Sequence, residues 1–154
     1  FFASVEKGVR AQMTKGVGVG YPMVDIQVTL VDGKAHSVDS SDMAFQTAGA
    51  LALKDAADAA GVTLLEPIDE LVIVIPDEHV GAVMSDLSGR RGRVTGTEGV
   101  PGGRTAVTAE VPGLELTRYA IELRSIAHGT ATFTRRYHGH EPMPTYVAEG
   151  LSAD

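Results

Sequence analysis

The 154 residues are 44% hydrophobic, carry a formal net charge of −7 and include no cysteine. That composition can bury a core in one ordinary domain or two small ones, and it excludes a disulfide framework, a Cys-ligated zinc and thiol catalysis. An acidic chain binds nucleic acid only through a local basic patch, and no apolar run approaches the length of a membrane span.

With four Phe, four Tyr and no Trp, the core must be built from Val, Leu, Ile and Ala. Charge is uneven: residues 1–62 hold 5 Lys+Arg against 7 Asp+Glu, and residues 63–154 hold 8 against 13, all eight of them arginine. Three of those arginines cluster at Arg90, Arg91 and Arg93. The chain opens Phe1-Phe2 with no initiator methionine and no visible targeting signal, so a fragment of a longer protein is expected.

In chain order, Val5, Val9 and Met13 recur at every fourth position and predict a helix over 4–15, with Ser4 as its N-cap. The glycines of Gly16-Val17-Gly18-Val19-Gly20 stop it. Met23 to Leu30 alternates, with Val24, Ile26, Val28 and Leu30 on one side, and reads as a strand ending at the Asp32-Gly33 turn. Asp39 is the expected cap of a second helix, Met43 to Ala60, whose small residues suit close packing and which Gly61 ends.

Leu65-Glu66-Pro67 marks a boundary, with a hinge expected near Leu65 to Ile68. Leu71 to Ile75 is an unbroken β-type run. Val80, Val83, Met84 and Leu87 form a helical face that recurs 36 residues later as Leu116, Tyr119, Ala120 and Leu123. Strands are expected at 93–98 and 104–111, and again from Thr130 to Tyr137, with Ala131, Phe133 and Arg135 on one side. Residues 138–154 read as a polar tail. The order β-α-β-β-α-β is a ferredoxin-like split β-α-β pattern with both helices on one face of an antiparallel sheet.

Chemistry is sparse. No Gly-x-x-x-x-Gly-Lys-[Ser/Thr] phosphate loop occurs, and the glycine run follows a helix, the reverse of a dinucleotide fingerprint. Ser4-Val5-Glu6-Lys7 matches a Ser-x-x-Lys pattern without its companions and reads as helix surface. His138-Gly139-His140 lacks a third ligand at metal-site spacing. No catalytic, cofactor or metal residue is assigned. His36, between a turn and a helix cap, reads as a surface-loop histidine. Arg90, Arg91 and Arg93 fit two readings equally: a phosphate grip, or internal pairing with Asp86 and Glu98.

Six stretches in order are together similar to bacterial elongation factor G. They are Gly20-Tyr21-Pro22-Met23-Val24-Asp25, Val38 to Phe45, Leu64-Leu65-Glu66-Pro67-Ile68, Leu87 to Gly92, Tyr119-Ala120 with Leu123-Arg124-Ser125, and Gly129 to Phe133. The resemblance implies an α+β chain of two small domains. Residues 1–63 would be the later part of domain IV, a partial ribosomal-S5-domain-2-like split β-α-β unit, and residues 64–154 would be the ferredoxin-like domain V with its tail.

It further implies a cytoplasmic, monomeric ribosome-binding module that touches no membrane. Its partners would be 16S and 23S rRNA and the tRNA–mRNA of the decoding region. GTP and Mg would bind in an upstream domain and no cofactor in this segment. By position in the motif, His36 matches a histidine of the domain IV tip loop. Gly16 to Tyr21, with Gly18 and Gly20, matches a neighbouring tip segment; Lys34 belongs to the same tip. Arg90, Arg91 and Arg93 would contact rRNA phosphate. The ending Arg135 to Pro142 and the lysine-free second half depart from the family and suggest a divergent paralogue. A ribosome-protection or recycling factor, and a free-standing ferredoxin-like binding domain, are the competing readings.

Overall fold

The computed structural model describes residues 1–18 and 20–152. It divides into two compact units, Phe1–Val62 and Thr63–Leu151. The break falls one residue before the boundary predicted from sequence.

The first unit is a helix pair. Helix α1 spans Phe2–Lys15 and α2 spans Asp42–Ala60. They lie close because glycines face the partner backbone: a Cβ at Gly49 would come within 2.7 Å of the Val5 carbonyl oxygen, and one at Gly8 would fall on that of Gln46. Phe1 stacks on Phe45 at 4.4 Å between centroids. Ser4 is not the cap of α1, because the helix already starts at Phe2. Its buried hydroxyl instead donates to Asp42 Oδ1 at 2.6 Å, tying the first turns of both helices together. The cap of α2 is Ser41, whose Oγ accepts from Ala44 N at 3.1 Å. Asp39 stands too early for that role.

Residues 16–41 contain no helix and no strand among the described residues. The predicted strand at 23–30 does not form, because strand pairing needs a neighbouring ladder and none of the described residues supplies one. Val24, Ile26, Val28 and Leu30 remain 40–56% exposed, and three of them line an apolar groove of about 430 Å³ with Phe2, Val5 and Met13.

In the second unit, β1 spans Leu65–Pro76, α3 Val80–Gly89, β2 Arg93–Val100, β3 Arg104–Pro112, α4 Tyr119–Ile126, β4 Thr132–Pro142 and α5 Thr145–Ser152. The sheet order is β2-β3-β1-β4, with each neighbouring pair antiparallel. Leu71, Ile73 and Ile75 of β1 share one face with Val107, Ala109 and Val111 of β3. Against them pack Val83 and Leu87 of α3, and Leu116, Tyr119, Leu123 and Ala127 in and around α4. Val83 and Leu87 thus meet Tyr119 and Leu123 on one side of the sheet, the expected ferredoxin-like arrangement, while Leu116 of the second predicted face lies in a 3-10 turn before α4 and Ala120 is exposed. Truncating a fully enclosed residue such as Leu71 to Ala would cost about 2–5 kcal/mol.

Two expectations change. Leu65 to Ile68 are not a hinge: they pair with Pro142, Glu141, His140 and Gly139 inside the sheet. The polar tail is also shorter than predicted, since β4 continues to Pro142 and α5 follows. A twelve-residue β1 offers ladder positions well past Tyr137, and β4 fills them. A register shift at Ile68/Asp69 accommodates the extra residue.

Candidate nucleic-acid interface

The first group of sequence candidates lies in the irregular segment between α1 and α2. Gly18 and Gly20 adopt φ of 73° and 87°, and open space surrounds the Cβ position of each. Val19 between them lies outside the described residues. Met23 N donates to Met13 O at 2.8 Å, which returns the chain to α1 after the glycine turn. Lys34 is exposed and its ammonium has no partner among the described residues. His36 is exposed and is anchored through its backbone: its N–H donates to Ser40 Oγ at 2.6 Å, and its carbonyl accepts from Ser40 N at 3.1 Å. Its imidazole makes no polar contact among the described residues. This loop therefore holds the His36 backbone while leaving the ring available.

The arginine cluster falls in the second unit and is differently placed. Arg90 caps the C-terminus of α3. Its Nε donates to Asp86 Oδ2 at 2.8 Å, Nη1 to the Glu115 carbonyl at 2.6 Å, and Nη2 pairs with Glu122. Its guanidinium carbon also sits 4.9 Å from the Tyr119 ring centroid. Arg91, at φ 60°, reaches Glu66 with Nη1 at 2.7 Å and Glu115 with Nε at 3.0 Å. Arg93 pairs with Glu110, its cross-strand partner in the β2–β3 ladder, yet its side chain stays 72% exposed. Bonds to these carboxylates hold all three guanidiniums above their ordinary pKa; for Arg90 the largest influence is burial, which opposes that rise. Glu110 is correspondingly lowered, first by Arg93.

Of the two readings that composition left even, Arg90 and Arg91 have the geometry of internal ties between α3, β1 and the approach to α4. Asp86 is a partner as anticipated, whereas Glu98 is not among them. Farther along the sheet, Arg135 binds Asp69 at 2.5 Å and Arg136 binds Glu70 at 2.7 Å. His138 approaches Glu110 at 3.2 Å, and His140 meets the Tyr137 hydroxyl at 2.6 Å, so the two histidines engage different partners.

Sequence reasoning passed over Arg118 and Arg124. Arg104 donates to backbone carbonyls, and the other arginines of this unit pair with acids. The guanidiniums of Arg118 and Arg124 alone have no partner among the described residues. Both are exposed, Arg118 at the N-cap of α4 and Arg124 in its last turn. A local signal existed for Arg124, which has Ala120 and His128 at i±4 where Arg90 has Asp86. None existed for Arg118: Glu122 stands four residues on, but the fold gives that carboxylate to Arg90.

No helix is long and apolar enough to cross a membrane among the described residues. A family model described as elongation factor G, domain IV matches residues 1–61, and one described as elongation factor G C-terminus matches residues 63–151. The chain is 65% identical over 153 residues to an elongation factor G-like protein of Mycobacterium tuberculosis, covering 99% of this chain and 21% of that protein. It is 48% identical over 151 residues to elongation factor G of Aquifex pyrophilus, covering 98% of this chain and 22% of the relative. The chain therefore spans about one fifth of the length of these curated relatives. A crystal structure of a protein from Thermus thermophilus superposes with a TM-score of 0.85 at 36% identity, over 98% of this chain and 23% of the other.

Proposed function

Since this chain belongs to the elongation factor G family, we propose that it forms the ribosome-facing C-terminal part of a translational GTPase. In this reading the irregular segment of the first unit, with Gly18, Gly20, Lys34 and His36, enters the decoding region while tRNA and mRNA move. The second unit contacts large-subunit rRNA. The observation that carries the reading is the ordered pair of matches to domain IV and the C-terminus, which together take in nearly the whole chain.

The surface chemistry agrees with it. An imidazole held by its backbone and free at its ring can stack on, or hydrogen-bond to, unpaired RNA. In the second unit the guanidiniums of Arg118 and Arg124 have no partner among the described residues, and the open guanidinium of Arg93 can add to them. Phosphate contact needs such unsatisfied donors, which outweigh the overall acidity locally. Arg90 and Arg91 serve this surface by holding α3, β1 and the approach to α4 in register.

The test uses the full-length parent. His36→Ala should slow tRNA–mRNA movement while ribosome-stimulated GTP hydrolysis stays near its original rate. Unchanged movement with unchanged folding would remove the tip from the mechanism. A second reading has its own observation: identity is 65% to a protein named as elongation factor G-like, against 48% to an elongation factor G. That difference favours a paralogue whose ribosomal task, such as protection or recycling, differs from bulk translocation. A translocation assay on the parent separates the two.

A further inference from the structure

Beside α4 lies a cleft of about 260 Å³ whose walls include Leu116, Arg118, Tyr119, Ile121, Phe133 and Arg135. It lies within the second unit and shares Tyr119 with the Arg90 network, whose guanidinium packs on that ring. Phe133 is half-buried, and its ring is fixed edge-on to Tyr119 at 5.2 Å and 83°. Ile121 is exposed. The rim carries two guanidiniums. That of Arg135 is oriented by Asp69 yet 45% exposed, and that of Arg118 has no partner among the described residues.

Arg118 is also held in an unusual backbone state, with φ 66° and ψ 17° at the N-cap of α4. A side chain in this left-handed region is disfavoured against glycine. The turn therefore holds a strained arginine beside an apolar cleft, and no acid among the described residues pairs with it.

A ligand for this place needs a flat apolar body and an adjacent anion. We infer that the cleft receives one unstacked base of an RNA strand, with Arg118 on the neighbouring phosphate. The proposal rests on the ribosomal reading above and deepens it, by assigning one nucleotide to one cleft. The Phe133 ring in the wall and the guanidinium planes suit any base face, so recognition is of an unpaired nucleotide and not of a sequence. An acidic peptide would use the same guanidiniums but would leave the apolar walls unfilled.

The experiment measures binding of the 154-residue chain to a labelled hexa-adenylate RNA and to an abasic strand of equal length and charge. The base-bearing strand should bind about tenfold tighter, the scale of one base stacked on an aromatic platform. Arg118→Gly suits the backbone and removes the cation. It should weaken binding of both strands and reduce the salt slope by about 0.7, one phosphate's worth on a single strand. Arg118→Lys should restore the salt slope. Equal affinity for the two strands, or an Arg118→Gly variant that binds like the original, overturns the proposal. Displacement of the RNA by polyglutamate at equal charge concentration, with no preference for bases, assigns the cleft to acidic peptides and also overturns it. Ribosome pelleting with the same proteins keeps the two readings apart. Base preference without ribosome binding sinks the ribosomal role alone, while ribosome binding indifferent to Arg118 and without base preference sinks the cleft alone.

Discussion

Arg91 places Nη1 2.7 Å from Oε1 of Glu66, a carboxylate only 2% exposed on β1. The same guanidinium reaches Glu115 at 3.0 Å. One arginine thus joins the exit of α3, the start of β1 and the turn that leads to α4. Removing it would leave an uncompensated charge in the interior.

Arg91→Ala is accordingly expected to cost about 3 kcal/mol, the scale for breaking a buried pair from one side. Replacing both partners, as Arg91→Met with Glu66→Leu, should cost less. Urea unfolding of the three proteins measures the difference, and a loss within experimental error for Arg91→Ala would show that the pair contributes nothing net. Any loss of ribosome binding in this variant should accompany unfolding.

Gly8→Ala should destabilise the first unit by about 1–3 kcal/mol, because the new methyl meets the Gln46 backbone and the two helices must separate. Gly81→Ala is the contrast. It lies within α3, has open space around its Cβ position, and should stabilise by about 0.5–1 kcal/mol through helix propensity. Thermal unfolding of both variants gives the two signs, and equal signs would contradict the close approach of α1 and α2.

Tyr119 sits in the core, and its hydroxyl has no hydrogen-bond partner among the described residues. Burial, aided by Asp86 and opposed by Arg90, pushes the phenol up to about 12. A phenol raised above its unfolded value supports the fold fully below that unfolded value near 10, and the support is lost as pH climbs through the folded value. Ultraviolet titration should show one tyrosine ionising only near pH 12, and Tyr119→Phe should abolish that step. The Phe variant should be as stable as the original or more so, by up to about 1 kcal/mol. A clear loss of stability would reveal a hydrogen bond to that hydroxyl.

Asp42 is held below its ordinary pKa, first by the Ser4 hydroxyl, then by Gln46, with Lys7 assisting and desolvation opposing. A carboxyl depressed in the folded state contributes stability above its unfolded value, near 3.9, and loses it as pH falls through the folded value. The stability gap between the original protein and Ser4→Ala should therefore be largest near neutrality and shrink as pH drops below about 4. A gap constant from neutral to acid pH would mean that Ser4 acts through packing alone.

The β-α-β-β-α-β order was legible in the amino-acid sequence, because strand and helix periods are properties of neighbouring residues. The run Leu71 to Ile75, the helical face Val80–Leu87 and the pair Tyr119 and Leu123 each declare their own structure, and their repetition declares the ferredoxin-like pairing, although Leu116 belongs to a 3-10 turn before α4. His36 was likewise readable as a surface residue from the turn before it and the helix start after it. Tertiary structure decided the rest. Arg91 and Glu66 are 25 residues apart in sequence, and Arg135 and Asp69 are 66 apart, so no local pattern announces either pair. The alternation from Val24 to Leu30 is a sound strand signal, but a strand exists only where a neighbour completes its ladder. β4 outruns its apolar pattern because a long β1 offers hydrogen bonds to it. Which arginines have no acid partner among the described residues depended on which acids the fold brought within reach, as Glu122 shows by pairing with Arg90 and not with Arg118. Spacing along the chain could not settle that.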